Sequence, residues 1–572
     1  MSTGSAADHH RQNPPAGRPT IFGTASTMGD DEQLTTTRLF ADAARSFASQ
    51  EIVYRNQDGQ WHTTTYAETW RRIRRVAAGL REYGVEPGTR VGLLMWNDIR
   101  HFESYFAVPA LGATMVQLNL RLSPKDIAYV VEQSQVTHII VDESLAQLAG
   151  EVEKHLSGSV SRWFIATDHP LSAAQSRLHN VHSYDSVSTH NPPLEELPNV
   201  DERSASGACF TTGTTGRPKG VFYSHRSTWL HADAIATNLC MRLDDTVMLL
   251  TPMFHVQCWG LPFAAVKTGA RIVLPGRFTM QDTPMLVDAM AEYEVTVAPA
   301  APAILNPVLH RFRQMEQAPD LSRARFVCGA SEPPISLMRG IYELTGAEVI
   351  HAYGATETSP IATVNRILPT LAASMDEEQR WDLRRSQGLA VIGVDVKIAD
   401  PLGEPLPFDG KSVGEICLRG PWITKSYFEN PEANESAFDE EGYWRSGDAG
   451  TVDADGYLKV TDRLKDVIKS GGEWISSIDM ENTLAGHGDV ADVAVVGVPH
   501  PKWGERPLVL VVPVEGAQVT TELVHQVLRK DFADWQLPER VEIVEEIART
   551  SVGKINKRSL REIYAEAYGG SE

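Results

Sequence analysis

The chain has 572 residues, of which 42% are hydrophobic and 22% are charged, and its formal net charge is −21. A chain of this length is too long for one hydrophobic core, so we expect two or more domains. The acidity argues against nucleic acid as a main partner, because the phosphates of a nucleic acid would be repelled. An anionic substrate would need cations placed locally to hold it.

The cysteine spacing and the length of the apolar runs argue against disulfides, a zinc site and a membrane span, and they favour the cytoplasm. The five cysteines are scattered, and no C-x-x-C spacing occurs. This pattern favours reduced thiols in the cytoplasm over a disulfide framework or a zinc site. No run of 18 apolar residues occurs, so we expect no membrane span. Residues 1–34 lack the apolar segment of a secretory signal and are predicted to form a disordered tail.

Short apolar runs alternate with longer amphipathic segments from about residue 50 to residue 460. Segments 65–84 and 284–295 have the periodicity of amphipathic helices. The alternation predicts an α/β fold with largely parallel sheets. The runs predicted to form buried strands are 91–97, 138–142, 163–167, 247–252, 270–275, 295–300, 324–330 and 347–354.

Two changes of pattern divide the C-terminal part of the chain. Residues 413–460 are rich in glycine and predict β-hairpins, one of them turning at DADG (453–456). A smaller unit with its own helix and strand patterns follows, long enough for a separate domain. The predicted small-domain elements are helices 477–486 and 520–533 and strands 491–498, 507–514 and 541–547.

These patterns predict an α/β protein with two domains of unequal size. The large N-terminal domain, residues 35–461, would contain stacked α/β subdomains plus a β-rich subdomain. A boundary at 462–466 would separate it from a small α+β C-terminal domain over 467–572.

A stretch rich in glycine and threonine, FTTGTTGRPKG, occupies residues 210–220. Its glycines allow backbone conformations that turn N–H groups and hydroxyls toward one centre, where Lys219 adds a full positive charge. An apolar run before it and a helical pattern from about Ser227 predict a strand, an anion-binding loop and a helix. Gly220 follows Lys219 where a P-loop has Ser or Thr, so a magnesium ligand must lie elsewhere. The alternative is a flexible surface loop without a ligand.

Four further segments follow this stretch: YGATETSP (353–360), YWRSGDAG (443–450), DRLKDVIKSGGEWIS (462–476) and RTSVGKINKRSLRE (549–562). Together with TTGTTGRPKG, they resemble, in the same order, the motifs of the adenylate-forming superfamily of acyl-CoA synthetases, adenylation domains and luciferases. The resemblance covers about residues 35–565. It implies that a carboxylate attacks the α-phosphate of ATP to give acyl-AMP and pyrophosphate. A thiol, usually coenzyme A, then displaces AMP.

The resemblance also implies roles in the nucleotide site. Glu357 would hold Mg²⁺, a hard cation that prefers oxygen ligands, and Thr356 would touch the α-phosphate. Tyr353 would lie near adenine, Asp448 would accept hydrogen bonds from both ribose hydroxyls, and Arg463 would support the ribose or the phosphates. The other residues implied in binding ATP are Thr211, Thr212, Gly213, Thr214, Thr215, Gly216, Lys219, Gly329, Ala330 and Gly354.

Lys554, in SVGKINK, resembles the lysine that bridges the attacking carboxylate and the α-phosphate, where a compact ammonium suits converging negative charge. Because Lys554 lies in the predicted small domain and Lys219 in the large one, the first step should need closed domains. The second step should need Lys554 to leave, so the resemblance implies a mobile small domain, with 462–466 as the hinge and Lys465 as the pivot. The residues implied in the coenzyme A channel are Lys469, Ser470, Gly471, Gly472 and Trp474, although the glycine pair alone would indicate only a turn.

The segment TPMFHVQCWGLP (251–262) resembles the family segment beside the acyl pocket. His255 would gate the passage between the acyl pocket and the thiol channel, with a packing role as the alternative. Trp259 and Gly329 would line the pocket. The loop VCGASEPP (327–334) departs from the family pattern of two glycines, since cysteine precedes its glycine, and this difference changes the expected shape of the pocket.

No cation marks a second charge on the acid, so the sequence favours a hydrophobic small-molecule carboxylic acid. The motifs are most similar to those of medium- and long-chain fatty acyl-CoA ligases, while an aromatic, terpenoid or polyketide acid stays open. An acyl-AMP ligase that loads a carrier protein is less favoured, because no carrier domain or typical insertion accompanies the motifs. A binding protein without catalysis is a third hypothesis, against which the complete set of motif residues argues. A homodimer is left open.

Overall fold

A computed structural model of the protein describes residues 21, 23–169, 171, 178–211, 217–471, 473–549 and 555–568. No helix in this part of the chain combines the length and the apolar composition needed to cross a membrane. The helices, α1 to α18 in chain order, are Thr36–Ser46, Tyr66–Glu82, Ile99–Ala107, Pro124–Gln133, Ala146–Glu153, Asp185–Ser188, His225–Asn238, Val256–Trp259, Leu261–Thr268, Thr283–Glu292, Pro302–Gln314, Ile335–Thr345, Pro369–Ala372, Glu377–Arg385, Pro431–Ala437, Ser477–Ala485, Thr521–Leu528 and Lys557–Ile563.

The strands form two large sheets and one smaller sheet among the described residues. In chain order, β1 to β25 are Glu51–Arg55, Trp61–Thr65, Arg90–Leu94, Thr114–Gln117, His138–Asp142, Arg162–Ala166, Val181–Ser183, Ala205–Phe210, Gly220–Ser224, Thr246–Met248, Arg271–Leu274, Val297–Ala300, Arg325–Cys328, Glu348–Gly354, Ile361–Val364, Gly388–Ala390, Asp395–Ala399, Gly414–Arg419, Trp444–Val452, Tyr457–Arg463, Ile468–Ser470, Glu473–Ile475, Val490–His500, Gly504–Pro513 and Arg540–Ile543.

The two large sheets have the mainly parallel core that the sequence predicts. The seven-stranded sheet has the order β7-β6-β5-β3-β4-β8-β9, and all its pairs except β8–β9 are parallel. The thirteen-stranded sheet has the order β17-β18-β19-β20-β16-β15-β14-β13-β12-β10-β11-β1-β2. Its central strands, β14-β13-β12-β10-β11-β1 in this order, are all parallel. The predicted α/β fold is confirmed.

The predicted elements of the large domain occur with their ends shifted by at most three residues, with one exception. Of the run 247–252, only the start belongs to a strand, β10. The N–H of Leu250 turns back to the carbonyl of Met248 at 3.1 Å, which interrupts the ladder before Thr251 donates its N–H to the carbonyl of Pro299 at 3.1 Å. The predicted helices 65–84 and 284–295 are α2 and α10. Helix α2 begins with a capping box between Thr65 and Glu68.

The β-rich segment forms the antiparallel edge of the thirteen-stranded sheet and not a sheet of its own. β15 pairs antiparallel with β14, and β16, β20, β19, β18 and β17 continue the sheet. The predicted turn at DADG joins β19 to β20, with Gly456 at φ 90°. The Asp453 carboxylate accepts the N–H groups of Asp455 and Tyr457 at 3.0 and 2.9 Å.

Residues beyond β20 build a smaller unit around β24, which pairs antiparallel with β21 and β23 and parallel with β25. Helices α16 and α17 pack on its hydrophobic core through residues such as Leu484 and Val524. The predicted helix 520–533 ends at Leu528, but Phe532 still packs against that core from beyond the helix. The predicted strand 541–547 ends at Ile543.

The end of β14 has room only for glycine, which gives a test of the fold beside the predicted nucleotide site. A Cβ added to Gly354 would lie 1.7 Å from the carbonyl oxygen of Pro360, a backbone atom that cannot move aside alone. Gly354→Ala should therefore lower the free energy of unfolding by about 1–3 kcal/mol, as overpacking does, in a urea titration.

Gly488→Ala is the matched control, since no described atom lies within 4 Å of the added Cβ. Its free energy of unfolding should change by less than about 0.5 kcal/mol. Equal stability of the two variants would contradict this account of β14.

Candidate active site

The predicted nucleotide residues gather at one edge of the thirteen-stranded sheet. β13 and β14 pair in parallel with Cys328 opposite His351, so the loops that follow the two strands leave from the same edge. One loop begins at Gly329, and the other continues from Gly354 into the 3₁₀ turn Thr356–Thr358. In open α/β sheets, ligands bind outside the carboxyl ends of the parallel strands, which is where these loops lie.

The glycine-rich stretch joins two strands, so the predicted order of strand, loop and helix is wrong. β8 and β9 form an antiparallel hairpin with Phe210 opposite Gly220. The residues after the loop, GVFYS (220–224), include the β-branched and aromatic types that favour a strand. Helix α7 begins only at His225, where Ser224 caps its first turn. The loop therefore projects from a hairpin end and not from a helix N-terminus.

Thr211 and Lys219 face each other at the base of the hairpin loop. The N–H of Thr211 donates to the carbonyl of Lys219 at 2.9 Å, and the N–H of Lys219 donates to Thr211 Oγ1 at 3.2 Å. The ammonium of Lys219 lies over the ring of Tyr427, 4.7 Å from its centroid, which is a cation–π distance. The predicted loop residues Thr212, Gly213, Thr214, Thr215 and Gly216 lie outside the described residues.

Tyr353, Asp448 and Arg463 come together from three strands, β14, β19 and β20. The Tyr353 hydroxyl donates to Asp448 Oδ2 at 2.5 Å, and Arg463 Nε lies 2.7 Å from Asp448 Oδ1. Asp448 is only 5% exposed. Burial, reinforced by the charge of Asp448, raises the pKa of Tyr353 well above its usual value, so Tyr353 stays a hydrogen-bond donor. The sheet thus presents one carboxylate between a neutral donor and a cation.

Thr356 and Glu357 lie in the 3₁₀ turn at this edge, with exposed fractions of 9% and 8%. The Tyr427 hydroxyl donates to Glu357 Oε1 at 2.6 Å. Burial raises the pKa of Glu357, while this hydrogen bond and nearby positive charges oppose the rise. Within the described ranges, no cation forms an ion pair with the Glu357 carboxylate. A buried carboxylate without a paired cation is a place where a metal ion would be stabilised.

Three aromatic residues outside the predicted set hold these groups in place. The Tyr223 hydroxyl donates to the carbonyl of Thr356 at 2.8 Å. Tyr427 makes the contacts described above, and Trp444 Nε1 donates to its hydroxyl at 3.2 Å. The sequence gives a signal for Tyr427 in WITKSYFENP (422–431), where aromatic residues precede the Asn-Pro start of α15. That signal does not indicate which groups the ring contacts.

The predicted acyl-pocket residues also lie together. A Cβ added to Gly329 would be 3.4 Å from the Trp259 ring, so the ring covers the start of the loop after β13. Trp259 ends the turn α8, in which every residue from Val256 to Trp259 has a positive φ, between 45° and 56°. This left-handed backbone costs L-residues roughly 1–2 kcal/mol each. His255, the predicted gate, precedes the turn and is half-buried.

The loop after β13 connects the large sheet to the smaller unit. Ala330 is exposed and has φ 70°, a left-handed conformation. Glu332 pairs with Arg385 at 3.0 Å, and burial raises the pKa of its carboxyl to about 7. Arg385 also lies 3.6 Å from Asp479 of α16. The loop that departs from the family pattern therefore takes part in a contact between the two units.

The predicted hinge, 462–466, has contacts on both sides. The Asp462 carboxylate accepts the N–H of Ser477, at the start of α16, at 2.9 Å. Asp466 Oδ1 accepts a hydrogen bond from Arg561 of α18 at 2.5 Å. Arg463 between them pairs with the large sheet, as described above. The chain therefore passes from one unit to the other within these few residues.

Three of the predicted channel residues lie on or next to β21. Ser470 is buried, and its hydroxyl accepts a hydrogen bond from Arg506 Nη1 at 3.2 Å. Gly471 has φ 63°, and its N–H donates to the carbonyl of Trp503 at 2.8 Å. Lys469 is exposed. A glycine suits position 471, because only glycine adopts this conformation without steric cost.

Besides the five loop residues at 212–216, two of the predicted residues lie outside the described part of the chain. They are Gly472 of the channel and Lys554, the predicted catalytic lysine. Trp474 falls in β22, and Lys465, the predicted pivot, is exposed within the hinge segment. The structure therefore brings together the predicted groups of the large domain but leaves the predicted approach of Lys554 untested.

The gathered groups have the chemistry to bind a nucleotide and a divalent cation. A lysine stands at the base of a glycine-rich hairpin, beside one buried carboxylate without a paired cation and a second carboxylate with its own donors. Among the described residues, no cluster of three His, Cys, Asp or Glu could hold a metal ion. A cation at Glu357 would therefore need ligand oxygens as well, as Mg²⁺ commonly takes from phosphates.

Comparison with known proteins gives matches over most of the chain. The family model of the AMP-binding enzyme matches residues 40–428, and that of the AMP-binding enzyme C-terminal domain matches residues 479–554. The chain is 41% identical over 555 residues to a long-chain-fatty-acid–CoA ligase of Thermus thermophilus, covering 96% of this chain and 98% of that protein. It is 35% identical over 536 residues to a medium-chain-fatty-acid–CoA ligase of Ectopseudomonas oleovorans, covering 93% and 96%.

A solved structure with the same fold is an anthranilate CoA ligase in complex with anthranoyl-AMP. Its TM-score is 0.81 at 24% identity, with 95% of this chain and 100% of that chain covered. The likeness confirms the predicted fold of a large N-terminal and a small C-terminal domain. With two matching family models and relatives at this level of identity, the chain belongs to the family of AMP-binding enzymes, the adenylate-forming enzymes that its motifs predict.

Proposed function

We propose that this protein activates a hydrophobic carboxylic acid with ATP, forming acyl-AMP and pyrophosphate, and then transfers the acyl group to coenzyme A. The observation that carries the proposal is the convergence of Lys219, from the hairpin of the seven-stranded sheet, with Glu357 and Asp448 of the thirteen-stranded sheet. Tyr427 contacts both Lys219 and Glu357, and Arg463, whose charge acts on Glu357, pairs with Asp448. Membership of the family supports adenylate formation. The relatives named as CoA ligases support coenzyme A as the acceptor.

Mg²⁺ fits the carboxylate of Glu357, which is buried and has a hydroxyl donor but no cation paired with it in the described chain. When bound, Mg²⁺ would neutralise charge on the phosphates and on the leaving pyrophosphate. Lys219 would bind the β- and γ-phosphates from the opposite side, and Thr356 would contact the α-phosphate. These assignments give the leaving pyrophosphate two cations, Lys219 and the metal ion.

Asp448 is proposed to bind the ribose. Each of its oxygens has one partner, Tyr353 or Arg463, and each carboxylate oxygen can accept more than one hydrogen bond. The ribose hydroxyls could therefore bind without displacing either partner. Adenine would lie near Tyr353, bordered by the loop of Gly329 and Ala330.

The acid is proposed to be hydrophobic, because Trp259 and its apolar neighbours line the region beside His255. Two relatives are named for medium-chain and long-chain fatty acids, which supports a fatty acid and a role in fatty-acid metabolism. The scattered cysteines are what favours the cytoplasm. Aromatic acids are the main alternative. The Gly329–Trp259 contact would border the acyl group whichever acid is bound.

We also propose the domain division 35–461, 462–466 and 467–572, with a swivel about Lys465. The contacts of Asp462 and Asp466 with the smaller unit support a pivot between them, because Arg463 is held by the large sheet. In one orientation Lys554 would reach the α-phosphate. In the other, residues 469–474 would border the path of the thiol.

A panel of acids tests the proposed reaction. Pyrophosphate release and thioester formation should be measured with short, medium and long saturated acids and with benzoate and cinnamate, each with and without coenzyme A. We expect release and thioester formation with a medium- or long-chain acid, because the proposed pocket is apolar. Acid-dependent release without a thioester would favour loading of a carrier protein. No release with any acid would favour a binding protein without catalysis.

Removing the side chain of Lys554 should separate the two half-reactions. Lys554→Ala should slow adenylation by about 10²–10³-fold, because one electrostatic contact to the transition state is lost. Thioester formation from supplied acyl-AMP should stay largely intact in the same variant. Lys530→Ala, at an exposed lysine of the smaller unit, should leave both rates unchanged. If Lys554→Ala lowered both half-reactions equally while folded, the swivel model would be wrong.

Removing the ammonium of Lys219 should mainly weaken the use of ATP. Lys219→Ala should raise the KM for ATP about tenfold or more, since a hydrogen bond to a charged group contributes about 1.5–3 kcal/mol. Lys154→Ala, which removes an exposed lysine paired with Glu151, is the control and should change no kinetic constant. An unchanged KM and rate for ATP in Lys219→Ala would contradict the phosphate assignment.

A further inference from the structure

Tyr427 lies where the two large sheets meet and touches a functional group from each. Its hydroxyl donates at 2.6 Å to the carboxylate of Glu357, which follows β14 of the thirteen-stranded sheet. The ammonium of Lys219, from the hairpin of the seven-stranded sheet, lies over its ring, 4.7 Å from the ring centroid. Tyr427 is 5% exposed, so both contacts are shielded from water. One side chain thus contacts both the carboxylate and the cation of the proposed phosphate site.

The direction of the Tyr427 hydroxyl proton is fixed by its second partner. Trp444 Nε1 lies 3.2 Å from the hydroxyl oxygen, and an indole N–H can only donate. The hydroxyl therefore accepts from Trp444 and must give its own proton to Glu357. Hydrogen bonds that end on a charged acceptor are about twice as strong as neutral ones, so this one orients the carboxylate strongly.

The backbone around Tyr427 is held as firmly as its side chain. The N–H of Tyr427 donates to Asn434 Oδ1 at 2.7 Å, and Asn434 Nδ2 donates to the carbonyl of Tyr427 at 3.1 Å. The next residue, Phe428, donates its N–H to the carbonyl of Gly220 at 2.9 Å and stacks on Phe222 with centroids 4.2 Å apart. Tyr427 therefore has a fixed position relative to the hairpin that carries Lys219.

The same segment is also tied to the loop that carries the carboxylate. The N–H of Thr424 donates to the carbonyl of Glu357 at 2.8 Å. The segment from Thr424 to Phe428 thus binds the backbones of both loops, one from each large sheet. A short piece of chain sets the distance between two groups that are far apart in the sequence.

We propose that Tyr427 is a positioning residue that holds Glu357 and Lys219 at the spacing that an ATP-bound divalent cation requires, and that keeps them from pairing with each other. This inference rests on the proposed function. Tyr427 occupies Oε1 of the Glu357 carboxylate, and no cation of the described chain pairs with this carboxylate, so it can still bind a metal ion. The ring holds the ammonium of Lys219 by cation–π attraction, and Lys219 and Glu357 form no ion pair in the described chain.

The test separates the hydroxyl from the ring by measuring ATP binding without turnover. Calorimetric titrations with ATP, in Mg²⁺ and in EDTA, are compared for the unmodified protein, Tyr427→Phe, Glu357→Gln and the double variant. In Tyr427→Phe, the increase in ATP affinity that Mg²⁺ causes should be about tenfold smaller than in the unmodified protein. The ATP affinity measured in EDTA should be unchanged. The double variant should lose no more than Glu357→Gln alone, because the hydroxyl acts through that carboxylate.

Two further variants show whether the effect is merely structural. Tyr66→Phe removes another buried hydroxyl, one that donates to the carbonyl of Ala270 at 2.7 Å, and should leave the gain with Mg²⁺ unchanged. Tyr427→Leu also removes the ring and should weaken binding in EDTA as well, through Lys219. A full gain with Mg²⁺ in Tyr427→Phe, or additive losses in the double variant, would overturn the inference. Failure of the unmodified protein to bind ATP would instead count against the proposed function.

Discussion

The site depends on opposite charges that lie close together without forming an ion pair. Lys219 and Glu357 both approach Tyr427, one over the ring and one at the hydroxyl. If they paired directly, Lys219 would no longer be available to the proposed phosphates, and Glu357 would no longer be available to the proposed metal ion. A buried ion pair also gains little stability after desolvation, so the arrangement costs the fold little. In a chain with a net charge of −21, a cation kept available in this way would favour the polyphosphate binding that we propose.

The sheets determine where these charges meet. The parallel pairing of β13 and β14 sends two loops out at one edge, and the antiparallel strands β19 and β20 bring Asp448 and Arg463 to the same place. Because the β-rich segment continues the thirteen-stranded sheet, this second set of groups is fixed by the ladder itself. The seven-stranded sheet adds the hairpin with Lys219 and, from β9, the hydroxyl of Tyr223. The nucleotide residues are thus distributed over two sheets that must keep a constant distance.

Motifs predicted the candidate groups for the proposed chemistry, and local patterns predicted most of the strands. Lys219, Glu357 and Asp448 stand in short segments whose residue types are tied to phosphate, metal and ribose, so sequence alone could indicate them. The order of elements after the glycine-rich loop was predicted wrongly, because β9 has only five residues and directly precedes the helical pattern of α7. Tyr427 was not predicted, since Glu357 precedes it by 70 residues and Lys219 lies still further back in the sequence. Contacts of that range follow from the sheet order, which no local pattern contains.

The left-handed turn α8 has a consequence for redesign of the acyl region. A run of apolar residues is compatible with a turn of either hand, so the sequence pattern gave no indication of it. Surrounding packing must hold Val256, Gln257, Cys258 and Trp259 in a geometry that glycine alone would adopt without penalty. The orientation of the Trp259 indole therefore depends on the left-handed backbone of this turn. Exchanging residues 255–260 as one segment between relatives would preserve that coupling. Replacing single residues would disturb both the position of the Trp259 ring and the left-handed backbone that supports it.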